Sequence, residues 1–215
     1  MGKGRFGRGS PAGVGRGMRR IGGAAAAWAL ACGLPGQALA QAPTAPPAAA
    51  AQAPSTRGNL AAQIEAMKKL DGMVGEWLGD GWFTVEGQRV GIVQSVVVRR
   101  ELQGQVLTTR DRVQRRTDPV SPPATASFGI LSFDDASGRF LMRSYFRGQV
   151  TDLDTEVPRP GVLVGRTTRP NGVLARVTTD VSTDGVWHEW SEDSRDGGKT
   201  WTRNYDIVMK RLPGS

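Results

Sequence analysis

The chain has 215 residues, 39% of them hydrophobic and 22% charged, with one Cys and one His. That length accommodates one domain of ordinary size with an appendage, and two domains at most. Cys32 alone excludes an internal disulfide framework and any Cys-rich zinc or iron–sulfur centre, and His188 alone excludes a His-pair or His₃ metal site. The formal charge of +8 is concentrated in a leader. Residues 1–40 hold six of the basic residues and no acid, which leaves 22 basic against 20 acidic residues for the rest. A body so nearly balanced gives no warrant for a nucleic-acid partner, and none is expected.

Residues 1–20 are basic and glycine-rich, and Ile21 to Leu34 form an alanine-rich apolar run of h-region length, too short to span a bilayer well. Ala38-Leu39-Ala40 then supplies the small–x–small pattern read by signal peptidase. Residues 1–40 are therefore predicted to be a signal peptide, cleaved before Gln41, with a periplasmic or secreted product that carries no transmembrane segment. Arg19-Arg20 leaves general secretion and twin-arginine export both open, and Ala29-Leu30-Ala31-Cys32 offers a lipobox, and so a lipoprotein acylated at Cys32, as the minor alternative. Residues 41–58 are Ala/Pro-rich, almost uncharged and without an apolar face, so they cannot bury enough surface to offset their ordering entropy. They are predicted to be a disordered linker, and the folded domain is placed over residues 59–212.

Asn59 to Leu70 reads as a short helix, with Asn59 at the N-cap and Leu60, Ile64, Met67 and Leu70 at helical spacing on one side. From Gly75 onward the period changes to two. Segments near 75–85, 89–99, 105–114, 127–134, 139–147, 161–168, 173–183, 185–193 and 200–210 read as strands. Turn residues separate them at Glu86-Gly87, 135–138, 170–172, Asp184-Gly185 and 196–198. No second amphipathic helix is long enough to cross between parallel strands. The pattern predicts an all-β domain, an antiparallel up-and-down sheet of about nine or ten strands that closes into a barrel to remove its edges, with a flattened sandwich as the alternative. Alternation puts Phe140, Met142, Ser144 and Phe146 on one face, opposite Arg139, Arg143 and Arg147. It also puts Trp201, Arg203, Tyr205, Ile207 and Met209 together. A barrel of this size is either filled by its side chains or takes one small ligand.

The run Leu70 to Gly81 carries a turn followed by Gly75-x-Trp77-x-Gly79-x-Gly81. This resembles the opening of the lipocalin-like (calycin) barrels, and the downstream rhythm through Trp201 and Tyr205 is similar to a bacterial exported lipocalin-like family of unknown function. The resemblance implies that Trp77 fills the barrel floor under an Arg near the end of the last strand, here Arg211 or Arg203, with Gly75 and Trp77 as barrel-closing residues. It is distantly similar to the nitrobindins as well, whose haem is held by a His on a late strand. The last strand here, Asn204 to Arg211, has no His, and His188 lies one strand earlier, so no cofactor is expected and haem is doubtful.

Ser194-x-Asp196-x-Gly198-x-Thr200-Trp201 fits an Asp-box, but a single copy in a chain this short reads as a tight hairpin. No nucleophile elbow, phosphate loop or dinucleotide fingerprint occurs. The acids Asp134/Asp135, Asp152/Asp154/Glu156 and Glu189/Glu192/Asp193 fall mostly in or beside predicted turns, and Arg110, Arg112, Arg115 and Arg116 read as a solvated cluster. The domain is expected not to be an enzyme. The expected function is binding of a small apolar or amphipathic molecule by an inward row of Phe140, Met142, Phe146, Trp201, Arg203, Tyr205 and Met209. A packed envelope interaction module, and a haem or hydrolytic site on His188, are the alternatives.

Overall fold

The computed structural model describes residues 58–117, 125–169 and 171–215. The predicted signal peptide, its cleavage site, Cys32 and nearly all of the predicted linker lie outside the described residues. A helix, α1 (Leu60–Met67), continues into a 3₁₀ turn over Lys68–Met73. Asn59 caps it as its residue type predicts, its Oδ1 accepting from the Ala62 amide at 3.1 Å.

Ten strands follow: β1 (Gly75–Val85), β2 (Gln88–Glu101), β3 (Val106–Arg115), β4 (Thr125–Asp134), β5 (Arg139–Phe146), β6 (Gln149–Arg159), β7 (Val162–Thr168), β8 (Leu174–Asp180), β9 (Val186–Ser194) and β10 (Thr202–Arg211). Each pairs antiparallel with its sequence neighbours, and β1 pairs with β10, so the sheet closes into a barrel with no free edge. The expectation of an up-and-down barrel with one short leading helix is met.

β6 is the strand that sequence period did not reveal. Its outer face carries Asp152, Asp154 and Glu156, and three carboxylates with Pro158 in one run are poor strand composition. Tertiary context compensates. Arg143 sits directly opposite Asp152 and donates to both its oxygens at 2.6 and 2.7 Å, Arg139 pairs with Asp154, and Arg166 donates to Glu156 at 2.6 Å. The turn into β6 is Arg147-Gly148, with φ of 49° and 78°, the two positive values that a tight two-residue hairpin requires.

One barrel end is a packed floor. Met67, Leu70 and Met73, from the helix and its 3₁₀ turn, join Trp77, Leu107, Leu131, Leu163 and Trp187 in the core. Asp135, in the turn after β4, binds this segment by accepting from the Asn59 amide at 2.7 Å and from Gln63 at 2.6 Å. Trp77 is 1% exposed, donates its indole N–H to Met73 O at 2.9 Å and meets the Trp187 ring edge-on at 5.4 Å. The Arg211 guanidinium lies 4.2 Å from the Trp77 ring centroid and donates to the carbonyls of Val74 and Gly72. Of the two arginines weighed for this position, the structure places Arg211 there.

Candidate functional site

Above the floor the inward positions become polar. On β2, Ile92, Gln94, Val96 and Val98 alternate inward; on β3 the inward series is Leu107, Thr109, Asp111 and Val113. β4 contributes Thr125, Ser127 and Gly129, and β5 contributes Ser144 between Met142 and Phe146. The opposite wall is more apolar, with Ala175 and Val177 of β8 and Ile207 and Met209 of β10, but Glu189 of β9 stands in it, 1% exposed.

These side chains join into a hydrogen-bonded belt. Tyr205 donates its O–H to Gln94 Oε1 at 2.6 Å. Gln94 in turn bonds Asp111, whose Oδ2 also accepts from Ser127 at 2.9 Å. On the other side Glu189 Oε2 accepts from Thr179 Oγ1 at 3.0 Å and from the Trp187 indole at 3.2 Å. Desolvation pushes the Asp111 carboxyl up to about 6, against the lowering effect of its bonds from Ser127 and Gln94. Burial, and then the negative charges of Glu189 and Asp111, push the Tyr205 phenol well above its ordinary range. No Arg, Lys or His is among the fully buried described residues. At the mouth, the floor's opposite end, Arg169 is balanced by Asp193 at 2.6 Å. Two hydroxyls on the polar wall, Thr125 Oγ1 and Ser144 Oγ, are buried without a hydrogen-bond partner.

Of the predicted inward row, Phe140, Met142, Phe146, Tyr205 and Met209 do face the interior. Trp201 and Arg203 do not, and this corrects the assignment. A β-bulge between Arg203 and Tyr205 shifts the phase of β10, so that Arg203, two residues from an inward Tyr, turns outward. There it pairs with Asp206 at 2.6 Å and lies 5.1 Å from the Trp190 ring centroid. Trp201 precedes the strand, donates to Gly198 O at 3.0 Å and stacks under Arg176 at 4.1 Å. The Asp-box is a closed hairpin. Asp196 accepts from the Thr200 hydroxyl and amide and from Ser194, bonds that hold its carboxyl down at about 2.

His188 is also outward, stacked on Trp190 at 4.8 Å with Nε2 3.0 Å from Asp206. Among the described residues the interior therefore offers a haem no axial imidazole. Among the described residues no three His, Cys, Asp or Glu side chains are grouped to hold a metal ion, and no helix is long and apolar enough to cross a membrane.

The belt is not among the apolar inward rows that sequence alternation predicts. A signal was present. In β3, Arg110 and Arg112 flank Asp111 in the alternation, which turns the acid inward if the arginines face water.

Fold and interior define a closed ten-stranded antiparallel barrel with one packed end and a buried polar belt. No family model matches the chain, and no curated protein matches it. Among solved structures it is similar to Rv2717c from M. tuberculosis, at 13% sequence identity and a TM-score of 0.49, over 69% of this chain and 96% of that one.

Proposed function

We propose that the domain is an exported, non-catalytic binding barrel that takes one small amphipathic molecule into its interior. The observation that carries this reading is the polar wall of β3, β4 and β5. A barrel with no ligand to meet gains most by filling its interior with apolar side chains, because each buried hydroxyl left without a partner costs on the order of 1–3 kcal/mol. Here Ser144 and Thr125 keep such hydroxyls at 2% and 4% exposure, and Gly129 lies opposite Ser144 on the adjoining strand. An apolar body would lie against Val177 and Ile207 while its polar group meets the belt. The leader, with Ala38-Leu39-Ala40 ahead of Gln41, supports export.

The test is a titration with the neutral fluorescent probe N-phenyl-1-naphthylamine. One saturable site per chain with a blue-shifted emission is expected, and it should vanish in Ser144→Leu, which fills the polar wall. Native mass spectrometry of protein from its own cell envelope should then find a co-purifying small molecule. Absence of saturable binding, or binding unchanged in Ser144→Leu, would overturn the interior site in favour of a packed interaction module.

A further inference from the structure

The outer wall carries a row of side chains that pairs in register across four strands. Arg110 of β3 stands opposite Phe128 of β4, Phe128 opposite Tyr145 of β5, and Tyr145 opposite Val150 of β6. The Arg110 guanidinium lies 5.8 Å from the Phe128 ring centroid, and the Phe128 and Tyr145 rings are 6.3 Å apart. Tyr145 and Val150 are 38% and 57% exposed, and they flank the Arg147-Gly148 turn at the mouth end of the barrel. Arg147 sets its guanidinium beside them, 5.2 Å from the Phe146 ring centroid. The charge on this face is one-sided. Elsewhere on the outer wall arginines are matched with acids on a neighbouring strand, as Arg143 is with Asp152, Arg166 with Glu156 and Arg176 with Glu192. Arg110 faces Val97 and Phe128 across its two neighbouring strands, and Arg112 faces Ser95 and Ala126. The outward positions from 93 to 97, from 108 to 114 and from 126 to 130 hold no carboxylate.

We propose that this face, the β5–β6 turn with the adjoining outer wall of β3 and β4, docks the barrel on the surface of an anionic phospholipid membrane. It goes beyond the interior site and does not depend on a ligand there. Exposed apolar side chains beside positive charge that no acid opposes mark an interaction surface. Tyrosine settles at the headgroup boundary, aliphatic side chains enter just below it, and arginine stems lie along apolar surface while their heads reach lipid phosphates. Each such arginine adds an attraction that dies away within a Debye length. A single-stranded nucleic acid fits less well, because bases stack on open ring faces. Arg110 lies over the Phe128 ring, and Val150 offers no ring at all. Docking through the Arg147-Gly148 turn brings the mouth of the barrel to the lipid surface.

The experiment places an environment-sensitive nitrobenzoxadiazole label at position 150 of the whole chain, through Val150→Cys in a Cys32→Ser background. Val208→Cys in the same background is the control, exposed on β10 across the barrel from β5. With vesicles of equal parts phosphatidylglycerol and phosphatidylcholine, the label at 150 should brighten and shift to the blue, and the label at 208 should not. Phosphatidylcholine alone, or salt at about 0.5 M, should abolish the shift. Arg110→Gln combined with Arg112→Gln should raise the lipid concentration at half-shift about tenfold or more. Comparison within one chain holds the contribution of the basic leader constant. Both arginines are exposed and face no acid, so the double variant is expected to fold, and the salt dependence of the wild type reads the same charge if it does not. No shift at 150, an equal shift at 208 or with phosphatidylcholine alone, a shift that survives the salt, or a half-point unchanged in the double variant overturns the proposal. So does binding of oligothymidylate through the same arginines while vesicles leave the label unmoved, which would assign the face to nucleic acid.

Discussion

Tyr205 on β10 reaches Gln94 on β2 across the intervening strand β1, in a 2.6 Å hydrogen bond between residues 111 apart in sequence. The stretch of β1 between these partners holds Gly79 and Gly81, and their spacing is tight. A Cβ at Gly79 would come within 2.0 Å of Val208 O, and one at Gly81 within 2.2 Å of Asp206 O. The glycines let β1 and β10 approach closely at the seam that closes the barrel. Gly79→Ala is expected to cost about 3 kcal/mol in urea denaturation, because backbone rather than a flexible side chain must move. A cost within about 0.5 kcal/mol of zero, the range of ordinary surface changes, would show that the seam has slack.

Trp77 and Arg211 are expected to contribute unequally. Trp77→Ala removes a fully buried indole from the floor and should lose about 3–5 kcal/mol. Arg211→Met keeps the packing stem but removes the stacked guanidinium and its bonds to Gly72 and Val74, for about 1–2 kcal/mol. Equal losses would mean that the floor depends on the cap rather than on the indole.

Asp111 gives the fold a pH dependence of unusual sign. Its folded value of about 6 exceeds the ordinary 3.8, so the folded state binds the proton more tightly than the unfolded chain does. Its effect on stability is therefore most favourable below about 4 and is lost as pH rises to 6, a swing on the order of 3 kcal/mol. Asp196 and Asp180, whose carboxyls are lowered, act in the opposite direction at the acid end. The measurement is the difference between wild type and Asp111→Asn across that range. Wild type should gain on the variant as pH falls from neutrality to 4. A pH-independent difference would place the Asp111 carboxyl near its ordinary value.

Much of the architecture was legible because alternation and turn chemistry are local. The change of period at Gly75, the glycines at the hairpins and the Asn59 cap each act within a few residues. β6 was hidden because its strand character comes from Arg139 and Arg143 on one neighbour and Arg166 on the other, partners that a window over 149–159 does not contain. Arg203 was misplaced because a single extra residue in β10 inverts the faces on either side of it, and Asn204 carries no mark of a bulge. The belt was missed for a third reason. Asp111 and Glu189 look like surface acids until closure of the barrel decides which side is inside.

Export is tested at the protein's N-terminus. Edman or mass-spectrometric sequencing of chain recovered from the periplasm or medium should begin at Gln41. A diacylglyceryl group on Cys32 would substitute membrane anchoring through lipid, and cytosolic protein retaining Met1 would remove export altogether.

The seam between β1 and β10 also sets how the domain responds to tension. β1 starts and β10 ends at the floor, side by side, with Leu212 still bonded to Glu76 O at 2.7 Å. Force applied through Gly75 and Arg211 therefore pulls across the strands, along the direction of their hydrogen bonds, and loads one rung at a time from Trp77 toward Phe83. The barrel would open like a zipper at low force, beginning at the indole under its guanidinium and releasing the Tyr205–Gln94 bond only near the end. A domain drawn out by its ends would keep its polar belt closed until most of the seam had gone.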